Sequence, residues 1–174
     1  GEVLEFLEKT GEAVPGEVNA GMYVLERSVL DLIPPGRECS IEREVFPRLV
    51  GGRLGGLRLD GYWVDIGTPE RYLEASWDIL ERRVETRVEP TGPGVLVDPA
   101  ATVDPAATVG PRAVLGPGCR VGAGATVTES VLLAGSAVGE GARVEGSILA
   151  PRATVADGAA VSDAVAAQDE KVPA

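Results

Sequence analysis

Aliphatic residues recur at a fixed interval through the second half of the chain. Val97, Val103, Val109, Leu115, Val121 and Val127 stand six apart, and Val127, Leu132, Val138, Val144, Leu149, Val155 and Val161 follow at intervals of 5, 6, 6, 5, 6 and 6. The blocks that begin at Val127 and Val144 are thus in register, 17 residues apart. This period predicts three short strands per coil, each turning one aliphatic side chain inward beside a small residue, in a triangular β-solenoid. Its corners fall at Asp98-Pro99, Asp104-Pro105, Gly110-Pro111 and Gly116-Pro117, where Gly tolerates positive φ and Pro presets the turn. A disordered Pro/Gly/Ala linker has no reason to keep an aliphatic register. The register is read as ending at Val161, so residues 162–174 are expected to cap the last coil loosely or to be disordered.

The first half follows another pattern. Residues 2–8, 18–25, 54–59 and 62–66 read as strands, with Gly21 inside the second of them. A helix is predicted from Ser28 to the Pro34-Pro35-Gly36 stop, with Asp31 completing a weak capping box. Another fits residues 41–50, where Pro47 acts as a kink or an end. Thr68-Pro69-Glu70 is the clearest boundary, an N-cap, a first-turn proline and an early acid that open a helix running to about Arg83. The expected organisation is an α/β segment over residues 1–83, a linker over 84–94, the solenoid over 95–161 and a tail over 162–174.

Composition sharpens this division. All seven aromatic residues lie between Phe6 and Trp77, so no conventional aromatic core is available to the second half. Histidine is absent, which removes imidazole bases, His-dependent triads and most zinc sites. A formal net charge of -11 argues against nucleic acid or an anionic membrane as the main partner. Cys39 and Cys119 are too few for a metal cage and read as reduced packing residues. With neither a membrane-length apolar run nor a signal-peptide pattern, the chain is expected to be soluble and cytoplasmic.

The repeat over roughly Val95 to Val161 resembles the hexapeptide-repeat family of left-handed parallel β-helices, and its handedness is implied by that resemblance alone. Many members of that family are acyltransferases that use a histidine, a chemistry closed to this chain. In the first half, FLEKT at 6–10, NAGMYVL at 19–25, SIEREVFPRL at 40–49 and GYWVDIGTPERYLEA at 61–75 stand in one order. Together they resemble the C-terminal part of the sugar-1-phosphate nucleotidyltransferases, most nearly the mannose-1-phosphate guanylyltransferases, which often append a left-handed β-helix. The implied fold is part of a Rossmann-like α/β nucleotidyltransferase domain followed by the solenoid.

That resemblance implies attack of a sugar 1-phosphate oxygen on the α-phosphorus of a nucleoside triphosphate, with release of pyrophosphate. The nucleophile is already ionised at neutral pH, so the protein must align two anions and neutralise their charge, which needs no histidine. By the family motif, Lys9 is the charge that holds the sugar phosphate and Glu8 accepts bonds from sugar hydroxyls. Thr10 stands where the family usually has proline. The same resemblance implies that Asn19 contacts the sugar or its phosphate, that Gly21 permits close backbone approach, and that Asp65 is one of two aspartates that bind the catalytic Mg²⁺. Trp63 serves equally as core or as pocket wall, and Glu42 and Glu44 read as helix-surface or hinge residues outside the site.

The family's glycine-rich nucleotide loop, of the form G-x-G-T-R-L, and its first metal aspartate have no counterpart here. The chain is therefore expected to be the C-terminal portion of a longer enzyme and to be inactive alone. The substrates expected of the parent are GTP and mannose 1-phosphate, with glucose 1-phosphate and another nucleotide as an alternative. Homo-oligomer formation through the β-helix is expected. A noncatalytic regulatory or assembly subunit is the competing reading, and it is weakened by retention of Lys9, Asn19 and Asp65.

Overall fold

A computed structural model describes residues 1–6 and 17–174. These divide into two compact units, Gly1–Trp63 and Val64–Ala174, and each is described by itself.

The second unit contains the solenoid. Fourteen strands lie on three faces in strictly parallel register. The first face carries β1 (Val95–Val97), β4 (Ala113–Leu115), β7 (Val131–Leu132), β10 (Ile148–Leu149) and β13 (Val165–Ala166). The second carries β2 (Thr102–Val103), β5 (Arg120–Val121), β8 (Ala137–Val138), β11 (Thr154–Val155) and β14 (Lys171–Val172). The third carries β3 (Thr108–Val109), β6 (Thr126–Thr128), β9 (Arg143–Glu145) and β12 (Ala160–Ser162).

The inward positions are those the period marks. Val97 pairs with Leu115, Leu115 with Leu132, and Leu132 with Leu149, and the valines stack likewise on the other faces. Leu115, Leu132, Leu149, Val127 and Val144 are essentially inaccessible to solvent. Each such side chain removed from water stabilises the coil by about 2 kcal/mol. Cys119, Ala125, Ala142 and Ala153 are buried in the same core beside them. At the corners, Asp98 and Asp104 each accept the backbone N–H of the residue two further on, both at 2.8 Å, so the Asp-Pro corners close as Asx turns.

The expectation of a loose tail after Val161 is corrected. Ala166 pairs with Leu149 and Val172 with Val155, which carries the 5, 6 spacing through one more coil. Alanine in place of leucine at 166 hid the register, because its period signal is weak although its burial is complete. Arg152 fastens this coil with a fork of bonds to Asp169, at 2.6 and 2.8 Å.

Helix α1 (Pro69–Leu80) begins where the boundary signal places it, with the Arg71 N–H donating to the Thr68 hydroxyl. It ends slightly earlier than Arg83, at a turn in which Arg82 takes positive φ. The helix belongs to the same unit as the solenoid, a unit that begins at Val64. Leu73 packs on Val131 and Ile148, which face outward on the first solenoid face, and Tyr72 and Trp77 extend that contact. The predicted linker is not featureless either, since Thr91 Oγ1 accepts the Val97 N–H at 2.9 Å and Gly92 bridges Val95.

The first unit is organised around Val45, Phe46 and Leu49. Phe6 and Tyr23 meet the Phe46 ring edge-on, with centroids 5.2 and 4.8 Å away. Ile41–Val45 forms a π-turn capped by Ser40, and Phe46–Arg48 continues as a 3₁₀ turn. Arg27–Leu32 is also 3₁₀. The four predicted strands are not formed among the described residues, where one isolated bridge joins Glu2 to Gly55. Val18, Met22, Val24, Leu57 and Leu59 are exposed. A strand exists only as part of a ladder, and among the described residues the pairing of these segments goes no further than that bridge, flanked by the Val3 N–H donating to the Leu54 carbonyl at 3.0 Å and the Gly56 N–H to that of Gly1 at 2.8 Å.

Candidate functional site

Residues Glu8 and Lys9 lie outside the described residues. Of the other expected site residues, Asn19 and Gly21 belong to the first unit and Asp65 to the second.

Asn19 opens a tight turn. Its Oδ1 accepts the Gly21 N–H at 3.1 Å, and Gly21 completes the turn at φ +71°, a conformation that costs other residues strain. Nothing lies within 4 Å of the place a Gly21 Cβ would occupy, so the turn is open to an approaching group. The Asn19 amide nitrogen donates to Glu42 Oε1 at 2.8 Å and to Tyr23 Oη at 2.5 Å. Tyr23 in turn donates its hydroxyl proton to the same Glu42 oxygen at 2.7 Å. Burial, opposed by the Asn19 bond and reinforced by Glu42, raises the Tyr23 phenol above its ordinary value, so the phenol keeps its proton.

Glu42 is a partner of Asn19 that the sequence reading set outside the site. The π-turn brings it to Asn19 across 23 positions of sequence. Such turns often occur at functional sites, but no propensity marks them. The available signal was the presence of Glu42 inside the SIEREVFPRL string. Glu44, its neighbour, has a structural task. Arg37 grips both its oxygens, at 2.6 and 3.2 Å, and holds its carboxyl down to about 2. Glu44 also accepts the Ser40 N–H while Ser40 accepts that of Arg43, a reciprocal cap.

Asp65 forms a second local turn, accepting the Gly67 N–H on Oδ1 at 2.9 Å. Oδ2 has no partner in that turn. Trp63 is half exposed. Among the described residues, no cluster of three His, Cys, Asp or Glu side chains could hold a metal ion. The donor set still suits Mg²⁺, which commonly takes one or two protein carboxylates and fills its remaining positions with water and phosphate.

Comparison with known proteins now adds to this geometry. Residues 1–82 match the nucleotidyl transferase family model, and residues 91–173 match that of the GMPPB C-terminal domain. The chain therefore carries a nucleotidyl transferase domain at its N-terminus, followed by the solenoid. It is 47% identical over 81 residues to the mannose-1-phosphate guanylyltransferase of Mycobacterium tuberculosis, a match covering 45% of this chain and 23% of that protein. It is 48% identical over 139 residues to the mannose-1-phosphate guanyltransferase of Debaryomyces hansenii, covering 74% of this chain and 38% of that protein. The Candida albicans protein of the same name is 48% identical over 137 residues, with the same two shares. The chain thus spans well under half the length of these relatives. No helix among the described residues is long and apolar enough to cross a membrane.

Proposed function

We propose that this chain supplies the sugar-phosphate side of the active site, and the appended solenoid, of a mannose-1-phosphate guanylyltransferase. The observation that carries the reading is the succession of the two family matches, nucleotidyl transferase then GMPPB C-terminal domain, along one chain. The reaction joins a phosphate oxygen of mannose 1-phosphate to the α-phosphorus of GTP and breaks the bond from that phosphorus to the bridging oxygen. GDP-mannose forms and pyrophosphate leaves with the bond electrons.

Each residue has a task set by its chemistry. Lys9 neutralises the sugar phosphate and Glu8 accepts from sugar hydroxyls. The turn at Asn19 and Gly21 brings a carboxamide and exposed backbone to the sugar, and alignment of the two substrates lowers the entropic part of the barrier. Asp65 would hold Mg²⁺ through its carboxylate. When bound, the ion neutralises phosphate charge. We place the protein in the cytoplasm, consistent with the free thiols of Cys39 and Cys119, and assign association between copies to the solenoid.

The test is a fusion in which the part of the M. tuberculosis relative preceding its matched segment is joined to Gly1. Pyrophosphate release from GTP, mannose 1-phosphate and Mg²⁺ is expected from the fusion and not from the 174 residues alone. Faster turnover of glucose 1-phosphate with another nucleotide would overturn the choice of substrates. No release from any pair would overturn the enzymatic reading.

A further inference from the structure

The three-way contact among Asn19, Tyr23 and Glu42 has a direction. A carboxylate at neutral pH accepts hydrogen bonds and donates none. Glu42 Oε1 therefore obliges Tyr23 to donate toward it across 2.7 Å, and the Asn19 group 2.8 Å away must be the amide nitrogen. With its own proton committed, Tyr23 Oη serves as acceptor for the same amide nitrogen at 2.5 Å. The Gly21 N–H then meets the amide oxygen at 3.1 Å. One half-buried carboxylate sets the polarity of the whole network.

We infer that Glu42 is a positioning residue that fixes the Asn19 carboxamide with its oxygen as the group left for ligand, so that Asn19 reads a sugar hydroxyl and not the phosphate. This rests on the nucleotidyl transfer reading above and deepens it. Both N–H donors of Asn19 are engaged internally, while the amide oxygen has two lone pairs and gives one to Gly21. Asn19 itself is exposed. A phosphate monoester near neutral pH offers mainly acceptor oxygens, which have nothing to exchange with a second acceptor. A hydroxyl has a proton to donate and completes the set. Glu42 thus leaves the phosphate to a cationic group and gives the asparagine a share in sugar selectivity.

The test uses the fusion already described, with separate KM values for mannose 1-phosphate and GTP. Glu42→Ala frees the carboxamide to turn and is expected to raise the sugar-phosphate KM roughly tenfold, the value of one neutral hydrogen bond, with the GTP KM unchanged. Glu42→Gln keeps an acceptor oxygen and is expected to stay within about threefold of the parent. Against a set of monodeoxy mannose 1-phosphates, the Glu42→Ala penalty is expected to vanish for the one analogue that lacks the donating hydroxyl. An equal penalty for every analogue, an equal loss toward both substrates, or no rescue by glutamine would overturn the inference.

An inactive parent fusion would count against the enzymatic reading and not against this polarity. In that event ¹⁵N spectra of the 174-residue chain decide. Glu42→Ala is expected to shift the Asn19 side-chain amide and the Gly21 backbone resonance, and mannose 1-phosphate is expected to perturb Asn19 where inorganic phosphate does not. Unshifted resonances in the variant, or equal perturbation by inorganic phosphate, would overturn it.

Discussion

The guanidinium of Arg112 lies over the ring of Trp77, 5.0 Å from its centroid. Its Nε donates to Glu81 at 2.7 Å and its Nη1 to Glu129 at 3.4 Å. One side chain of the solenoid corner thus clasps the end of α1 and the next coil together. A planar cation is required, since lysine can neither stack nor divide its donors in this way. Arg112→Ala is expected to lower the melting temperature more than Arg112→Lys, and both are expected to alter Trp77 fluorescence in a Trp63→Phe background. Melting and emission identical to the parent would show the clasp to be idle.

Inside the solenoid, Ser147 Oγ donates to the Glu145 carbonyl at 2.6 Å and accepts the Ala164 N–H at 3.1 Å. Ser130 does the same one coil earlier, donating to the Thr128 carbonyl and accepting the Ser147 N–H at 3.0 Å. Both serines are completely buried. Ser147→Ala leaves the Ala164 N–H without its acceptor and is expected to cost about 1–3 kcal/mol in denaturant unfolding. An unchanged midpoint would mean that the coil relaxes to satisfy that group.

Glycine 139 and glycine 124 separate crowding from backbone strain. A Cβ on Gly139 would sit 2.6 Å from the Asp157 nitrogen and 2.7 Å from the Ala156 carbonyl carbon, both backbone atoms of the next coil. Gly139→Ala must push coils apart and is expected to cost about 1–3 kcal/mol. At Gly124 no atom lies within 4 Å of the added carbon, but φ is +67°, so Gly124→Ala is expected to cost about 1–2 kcal/mol through conformation alone. Hydrogen exchange distinguishes them. The first variant is expected to lose protection in the neighbouring coil and the second only at its own corner.

The Arg37–Glu44 pair makes the first unit sensitive to acid. The Glu44 carboxyl, ordinarily at 4.5, is held at about 2 in the fold by the Arg37 bond. Between those values the unfolded chain binds the extra proton, so the pair contributes above pH 4.5 and its contribution is lost as pH falls toward 2. The difference in stability between the parent and Glu44→Gln is expected to be present at neutral pH, to shrink through that window, and to weaken in high salt because Arg37 is exposed and Glu44 only half-buried. A difference independent of pH would exclude the pair as its source.

The candidate site was legible in part. Asn19, Gly21 and Asp65 could be named from their places in the NAGMYVL and GYWVDIGTPERYLEA strings, and the local turns of Asn19 with Gly21 and of Asp65 with Gly67 depend on chain chemistry two positions apart. Glu42 reads in sequence as a charged residue on a helix surface. Its contact with Asn19 depends on a π-turn that adds a residue to the winding and brings the side chain across.

The same distinction holds for the fold. The solenoid register, its Asp-Pro corners and the start of α1 follow from residues near one another in the chain, because a repeated coil places each inward side chain at a fixed step from the last. One more coil, ending at Val172, was present in that spacing and was hidden by the alanine at 166. The packing of Leu73 on Val131 and Ile148, the clasp of Arg112 on Glu81 across 31 positions, and the lack of ladders, among the described residues, in the four segments predicted as strands were settled only in three dimensions. Burial, stacking and ladder pairing each require a partner, and neither periodicity nor propensity at one position specifies which distant residue will supply it.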